Sequence, residues 1–186
     1  MVKIPIVESY WVRENLFLAG EYPGSYNPAE MRRRMGAFLE SGIRTFVDLT
    51  QSHELLPYES VLKEEAHIYN YVAAYHRFAI RDHSIPSEQT MSLILDTIDA
   101  AIRNGSPVYV HCWGGVGRTG SVVGCYLVRH GMSAEKALAQ VDAWYKSRPN
   151  NYFLRSPETE QQMDFVRKWR EVPASGHQSQ QRYCEG

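Results

Sequence analysis

Residues 107–120 read Pro107-Val108-Tyr109-Val110-His111-Cys112-Trp113-Gly114-Gly115-Val116-Gly117-Arg118-Thr119-Gly120. The β-branched and aromatic run at 107–111 reads as a short buried strand. Glycines then crowd the next positions, and from 118 to about 130 the pattern is helical. A strand entering a helix through a loop of small residues is a building unit of α/β sheets. Successive amide groups of such a loop can converge into a nest for an anion. The helix N-terminus adds about half a positive charge at the same point. Gly114, Gly115 and Gly117 remove the Cβ atoms that would block tight curvature. Arg118 can grip two oxygens of a tetrahedral oxyanion with its planar fork. Cys112 then sits beneath the bound anion, in a setting of the kind that stabilises a thiolate nucleophile. No Gly-Lys-Ser/Thr follows the glycines, so the loop is not a nucleotide-binding one.

The pattern extends in both directions. Short strands are expected around Trp11 and at 16–19, followed by a turn region at 20–26. A helix from 28 to 40 has Asn27 as N-cap, Pro28 at its first position and Glu30 to close a capping box. Residues 43–50 read as a buried strand, 57–66 as a short helix and 71–80 as another strand. Ser87 caps a long helix with Leu93, Ile94, Ile98 and Ile102 on one face, ended by Asn104-Gly105. Ser133 caps the next helix, which runs to near Pro149. Ser156-Pro157 opens the last one, which ends near Pro173. The alternation implies one α/β domain over residues 1–173, with a central, mostly parallel twisted sheet and helices on both faces. Residues 174–186 are polar and aperiodic and are expected to be disordered.

The chain has 186 residues, of which 44% are hydrophobic and 22% charged, enough apolar content for a sizeable core. Lys plus Arg is 20 against 21 for Asp plus Glu, a formal charge of −1. That balance argues against a general nucleic-acid binder. No apolar run approaches a membrane span, and the first residues lack the apolar segment of a signal peptide. Three cysteines, Cys112, Cys125 and Cys184, form no CxxC pair, so neither a disulfide framework nor a zinc site is expected. They fit a reducing cytoplasm. Cys125 reads as packing inside the helix after the loop, and Cys184 as an inert thiol.

Cys112-x5-Arg118-Thr119, preceded by His111, resembles the signature of the protein tyrosine phosphatase superfamily. The compact length is most similar to the dual-specificity branch. The resemblance implies a covalent mechanism without metal or cofactor. Cys112 would attack phosphorus while residues 113–118 (Trp113, Gly114, Gly115, Val116, Gly117 and Arg118) bind the phosphoryl oxygens. It implies that Thr119 donates to the cysteine sulfur and that His111 supports the loop. The family's general acid is an Asp on a loop about thirty residues before the cysteine, and Asp82 fits. Asp48 is the competitor, and the lone loop histidine His83 reads as a surface residue. Gln162 is matched to a glutamine near the pocket, with Gln161 as the alternative. Met31-Arg32-Arg33-Arg34 reads as a solvated helix face. The expected substrate is a phosphorylated protein or peptide, carrying phosphotyrosine and also phosphoserine or phosphothreonine, turned over by a monomer. Alternatives are an inositol phosphate, a phosphoinositide or an RNA 5′-phosphate, and a silent phosphate-binding module.

Overall fold

The strand that ends at His111 lies in the middle of a five-stranded sheet in the computed structural model, which describes residues 4–170. In chain order the strands are β1 (Ser9–Arg13), β2 (Phe17–Gly20), β3 (Thr45–Asp48), β4 (Ala74–Arg77) and β5 (Val108–His111). Their spatial order is β1-β2-β5-β3-β4. Only the β1–β2 hairpin is antiparallel; β2, β5, β3 and β4 run parallel. Parallel neighbours require crossovers, and the helices supply them. These are α1 (Pro28–Glu40), α2 (Glu59–Ile68), α3 (Glu88–Arg103), α4 (Gly117–Arg129), α5 (Ala134–Lys146) and α6 (Glu160–Lys168).

Alternation along the strands sends side chains to two cores. Phe17, Ala19, Val47, Val108 and Val110 pack beneath α3, α4, α5 and α6. Leu18, Phe46 and Tyr109, one position out of phase, pack beneath α1 and α2. The mostly parallel α/β domain with helices on both faces is therefore as expected. α4 is buried from Gly117 to Leu127. Its glycines explain how α6 reaches it: a Cβ on Gly124 would lie 2.9 Å from Val166, and one on Gly120 would strike the Ser156 hydroxyl.

Several boundaries differ from the sequence reading. β3 and β4 are shorter than the apolar runs around them, because only the segments that pair enter the ladder. Asn27 does cap α1 by accepting from Glu30 N at 3.1 Å. The Glu30 carboxylate does not close a box; it is taken by Arg33 and Arg34. The Ser133 side chain makes no capping bond. Ser156-Pro157 does not open the last helix. Ser156 is buried and donates to Val116 O at 2.8 Å, and Thr159 caps α6 in a box with Gln162. That helix stops at Lys168. The expected tail 174–186, with Cys184, lies outside the described residues.

Candidate active site

β5 and β3 are parallel neighbours, so the loops that follow them meet at the same end of the sheet. Ligand sites of open parallel sheets form at this carboxyl end. β5 delivers Cys112 to the floor of a cleft of about 460 Å³. The loop after it turns at Gly115, whose φ of +66° favours glycine. A Cβ there would also meet the backbone of Gly20, with Glu21 N only 2.6 Å away. Tyr22 N donates to Trp113 O at 2.8 Å, tying the loop to the segment after β2. Among the described residues, none accepts a hydrogen bond from the backbone N–H groups of residues 113–116. α4 begins at Gly117 with no side-chain cap, so its first amides also remain available at the same place. The arrangement is an anion cradle built from backbone.

Arg118 is 2% exposed and crosses the site. Its Nη1 and Nη2 donate to the two carboxylate oxygens of Glu54 at 2.8 and 2.9 Å, and Nη1 also donates to Ile80 O at 3.0 Å. Nη2 lies 2.9 Å from Asp82 Oδ1. Nε is buried without a partner. Burial opposes the Arg118 charge, but Glu54, Cys112 and Asp82 outweigh it and hold the guanidinium protonated. Glu54 follows β3 and was not singled out in the sequence. Its signal was topological: an acidic residue on the loop after the strand next to β5.

Asp82 stands on the opposite wall, its side chain 45% exposed. Asp48, the competitor, is buried and committed. It accepts from Thr50 N and Oγ1 at 2.8 and 2.6 Å, from Tyr75 at 2.6 Å and from Arg77 at 2.9 Å. Burial raises its affinity for a proton; His111 and the bonds from Thr50 and Tyr75 more than offset this and hold the carboxyl below its usual range. Asp48 therefore braces the sheet end and does not face the cleft.

His111 is fully buried. Its Nδ1 lies 3.0 Å from the Cys112 carbonyl, which can only accept, so Nδ1 carries the proton. Nε2 lies 2.7 Å from the Tyr58 hydroxyl and accepts from it. Burial pushes the imidazole below its ordinary range, partly countered by Asp48 and the bond to Cys112 O, which agrees with this neutral form. The ring thus fixes the backbone at Cys112.

The Thr119 hydroxyl is directed at Gly20 O, 3.4 Å away, and not at the Cys112 sulfur as expected. Trp113 is 57% exposed and stands at the cleft rim. Gln162 is buried beneath the loop, 2.8 Å from where a Gly117 Cβ would sit. Its Oε1 accepts from Glu158 N and Thr159 N, and its Nε2 donates to Ser84 O. It supports the cleft from behind and does not line it. Gln161 faces a separate groove with Ile85 and Trp169.

Arg148, Tyr152 and Phe153 were not anticipated. Arg148, 5% exposed, donates to Glu8 O at 2.9 Å and Gly114 O at 3.3 Å, clamping the loop to the start of β1. Glu21 lines the cleft, and its carboxyl is pushed up to about 7 by burial and by Glu8, against the pull of Arg148 and Arg34. Tyr152 and Phe153 form an aromatic part of the wall. Arg32 and Arg33 form surface ion pairs as a solvated face should, while Arg34 reaches the cleft edge. Among the described residues, no cluster of His, Cys, Asp or Glu is arranged to hold a metal ion. No helix there is long and apolar enough to cross a membrane.

Residues 22–132 match the family described as "Polymorphic toxin system, DSP-PTPase phosphatase". The chain is 31% identical over 157 residues to protein tyrosine phosphatase domain-containing protein 1 of Mus musculus, covering 80% of this chain and 20% of that protein. It is 28% identical over 149 residues to the Arabidopsis thaliana phosphatidylinositol 3,4,5-trisphosphate 3-phosphatase and protein-tyrosine-phosphatase PTEN1, covering 78% of this chain and 34% of that protein. The chain thus spans a fifth to a third of these relatives. The fold is similar to that of Tk-PTP in its active form, with a TM-score of 0.67 at 22% identity, over 86% of this chain and 93% of that one.

Proposed function

The chain belongs to the DSP-PTPase phosphatase family, within the cysteine-dependent protein tyrosine phosphatase superfamily, and on that premise we propose that it hydrolyses phosphomonoesters through a cysteinyl-phosphate. The preferred substrate in this reading is phosphotyrosine in a protein or peptide, with phosphoserine and phosphothreonine also accepted. The observation that carries it is the meeting of Cys112, Arg118 and Asp82 around one cleft at an uncapped helix N-terminus.

In the first step the Cys112 sulfur attacks phosphorus and the bond to the leaving oxygen breaks. Asp82 gives that oxygen its proton. In the second step the Asp82 carboxylate takes a proton from water, the water oxygen attacks phosphorus and the S–P bond breaks. Inorganic phosphate leaves and the thiolate is restored. Negative charge on the equatorial oxygens is met by the loop amides and Arg118. The unpartnered Nε of Arg118 supports this role, since a buried N–H without an acceptor is costly and a phosphoryl oxygen would supply one. A phosphoryl group that also engages Nη2 would release Asp82 toward the leaving oxygen. His111 and Glu54 hold Cys112 and Arg118 in place. Tyr22, Trp113, Tyr152 and Phe153 give the cleft aromatic walls suited to a tyrosine ring.

A second reading, a phosphorylated inositol or its lipid, is favoured by Arg34 and Arg148 at the cleft edge and by the similarity to the Arabidopsis phosphatidylinositol 3,4,5-trisphosphate 3-phosphatase. The absence of lysine from residues 113–117 weighs against it. Action in a reducing compartment such as the cytoplasm belongs to the same proposal.

The deciding experiment compares wild type with Cys112→Ser on phosphotyrosine and phosphoserine peptides, inositol phosphates and RNA 5′-phosphates. The wild type is expected to release phosphate fastest from the phosphotyrosine peptide. The variant is expected to lose at least about 10³-fold in kcat while still binding phosphate. Near-normal turnover by Cys112→Ser would overturn the mechanism, and faster wild-type turnover of inositol phosphates would overturn the substrate class.

A further inference from the structure

We propose that His83 is a positioning residue that holds Asp82 over the cleft by spanning it to Glu158. This rests on the reading of Asp82 as the general acid. The loop histidine first read as a surface residue is exposed, but it is not idle. Its Nε2 lies 3.5 Å from Asp82 Oδ2, and its Nδ1 lies 3.4 Å from Glu158 Oε2. One imidazole therefore stands between two carboxylates drawn from different parts of the chain.

The backbone agrees with a special role. His83 has φ of +57°, the left-handed region that residues other than glycine enter uncommonly. Such conformations persist where the surroundings enforce them, and they cluster at functional sites. Here the left-handed turn places the ring alongside the carboxyl group of its own neighbour.

The far end of the span is also fixed. Glu158 lines the cleft, and its backbone N–H donates to Gln162 Oε1 at 3.2 Å. The Nε2 of the same Gln162 donates to Ser84 O at 3.2 Å, on the Asp82 loop. Gln162 is packed under Gly117 of the anion cradle. The buried amide thus ties the cradle, the acid loop and the start of α6 together, and His83 completes the link at the surface.

The link matters most during turnover. Asp82 has two side-chain partners, Arg118 at Oδ1 and His83 at Oδ2. A phosphoryl group competes with Asp82 for Arg118. Once it does, His83 is the side chain that still orients the carboxyl group toward the leaving oxygen. Loss of that hold slows the proton transfer and leaves phosphate binding alone.

The test measures kcat and KM for an aryl phosphate with a good leaving group and for an alkyl phosphate, which needs the acid. The proteins are wild type, Asp82→Ala, His83→Asn, Glu158→Gln and the His83/Glu158 double variant. Asparagine tolerates the left-handed backbone, so the loop keeps its path. His83→Asn is expected to lower kcat/KM, which reports the first step alone, about 5- to 10-fold on the alkyl phosphate and less than about twofold on the aryl phosphate, with Tm nearly unchanged. Glu158→Gln acts in the same direction, and the double variant is no slower than His83→Asn alone. Equal losses on both substrates, or fully additive losses in the double variant, would overturn the proposal. If those results follow while Asp82→Ala keeps its strong preference for aryl over alkyl phosphate, the acid assignment stands and only the span fails. An Asp82→Ala variant without that preference overturns the acid assignment itself.

Discussion

The floor and the wall of the cleft are built on different principles. The floor, from His111 to Thr119, is buried apart from Trp113 and Gly114 and is held by backbone: glycine contacts, a neutral histidine on a carbonyl, and Arg148 on another. The wall, carrying Asp82, is half exposed and is held by side-chain contacts of 2.9 to 3.5 Å to Arg118 and His83. A buried backbone cradle has one arrangement and tolerates no extra atom. An exposed carboxyl group held by a few ion pairs can let go and return. The proposed chemistry asks for this division, since an anion site is best preorganised while Asp82, as the proposed acid, would change partner in each step. Substitutions in the floor should therefore lower every activity together, and those in the wall should discriminate between substrates.

Gly115→Ala is the severest way to break the comparison. Its Cβ would meet the Gly20 backbone at a residue with φ of +66°, so either β2 or the loop must shift. A displacement of about 1 Å in a catalytic group can cost about 10²-fold. We expect kcat/KM to fall at least that much on aryl and alkyl phosphates alike. Stability should drop by about 1–3 kcal/mol, read from thermal unfolding. Retained activity would mean that the floor is a pliable loop and that the contrast with the wall is mistaken.

The same division explains what could be read from the chain alone. The floor is local: strand, glycine loop and helix are contiguous from Val108 to Arg129, and periodicity and glycine content suffice to read them. Asp82 was reached through the family's spacing. The supports of both regions come from far along the chain. Arg118 and Glu54 are 64 positions apart, and Arg148 and Gly114 are 34. Such pairings follow from which strands are neighbours, and the order β2-β5-β3 is not written in any single segment. The start of α6 is decided by a distant contact. Ser156-Pro157 and Thr159 with Gln162 are both plausible helix openings. The first lost because the Ser156 hydroxyl is drawn to Val116 O in the buried contact with α4. His83 was undervalued because a lone histidine carries no pattern; its left-handed φ and its two carboxylate neighbours exist only in three dimensions.

Glu54→Gln sharpens the comparison from behind the floor. The substitution keeps the shape of the side chain but removes the charge that pairs with both terminal nitrogens of Arg118. Arg118 keeps Ile80 O and Asp82 as partners, so the loss should be smaller than for Gly115→Ala. We expect kcat to fall about tenfold, equally on aryl and alkyl phosphates, with a matching loss of phosphate affinity. A loss confined to alkyl phosphates would instead make Glu54 part of the wall, acting on Asp82 through Arg118.

The smallest expected effect lies at the cleft edge, with Glu21. Burial and Glu8 push its carboxyl up to about 7, so near neutral pH it changes from a neutral to a negative group beside the anion site. Below that pH it is silent, and above it a carboxylate repels the incoming phosphoryl group. Two charges several ångströms apart at a protein surface interact by about 1 kcal/mol or less, or a few-fold in rate. Glu21→Gln should therefore match wild type in kcat/KM at pH 6 and exceed it about threefold at pH 8, with high salt erasing the difference. Stability follows the same sign. An acid that holds its proton more tightly folded than unfolded makes the protein less stable as pH rises from about 4.5 through 7. The variant should lack that decline, so its Tm should pull ahead of wild type above pH 7 and coincide with it near pH 4. Identical pH profiles for the two proteins would mean that Glu21 is not felt at the anion site. The cleft edge would then belong to neither the floor nor the wall.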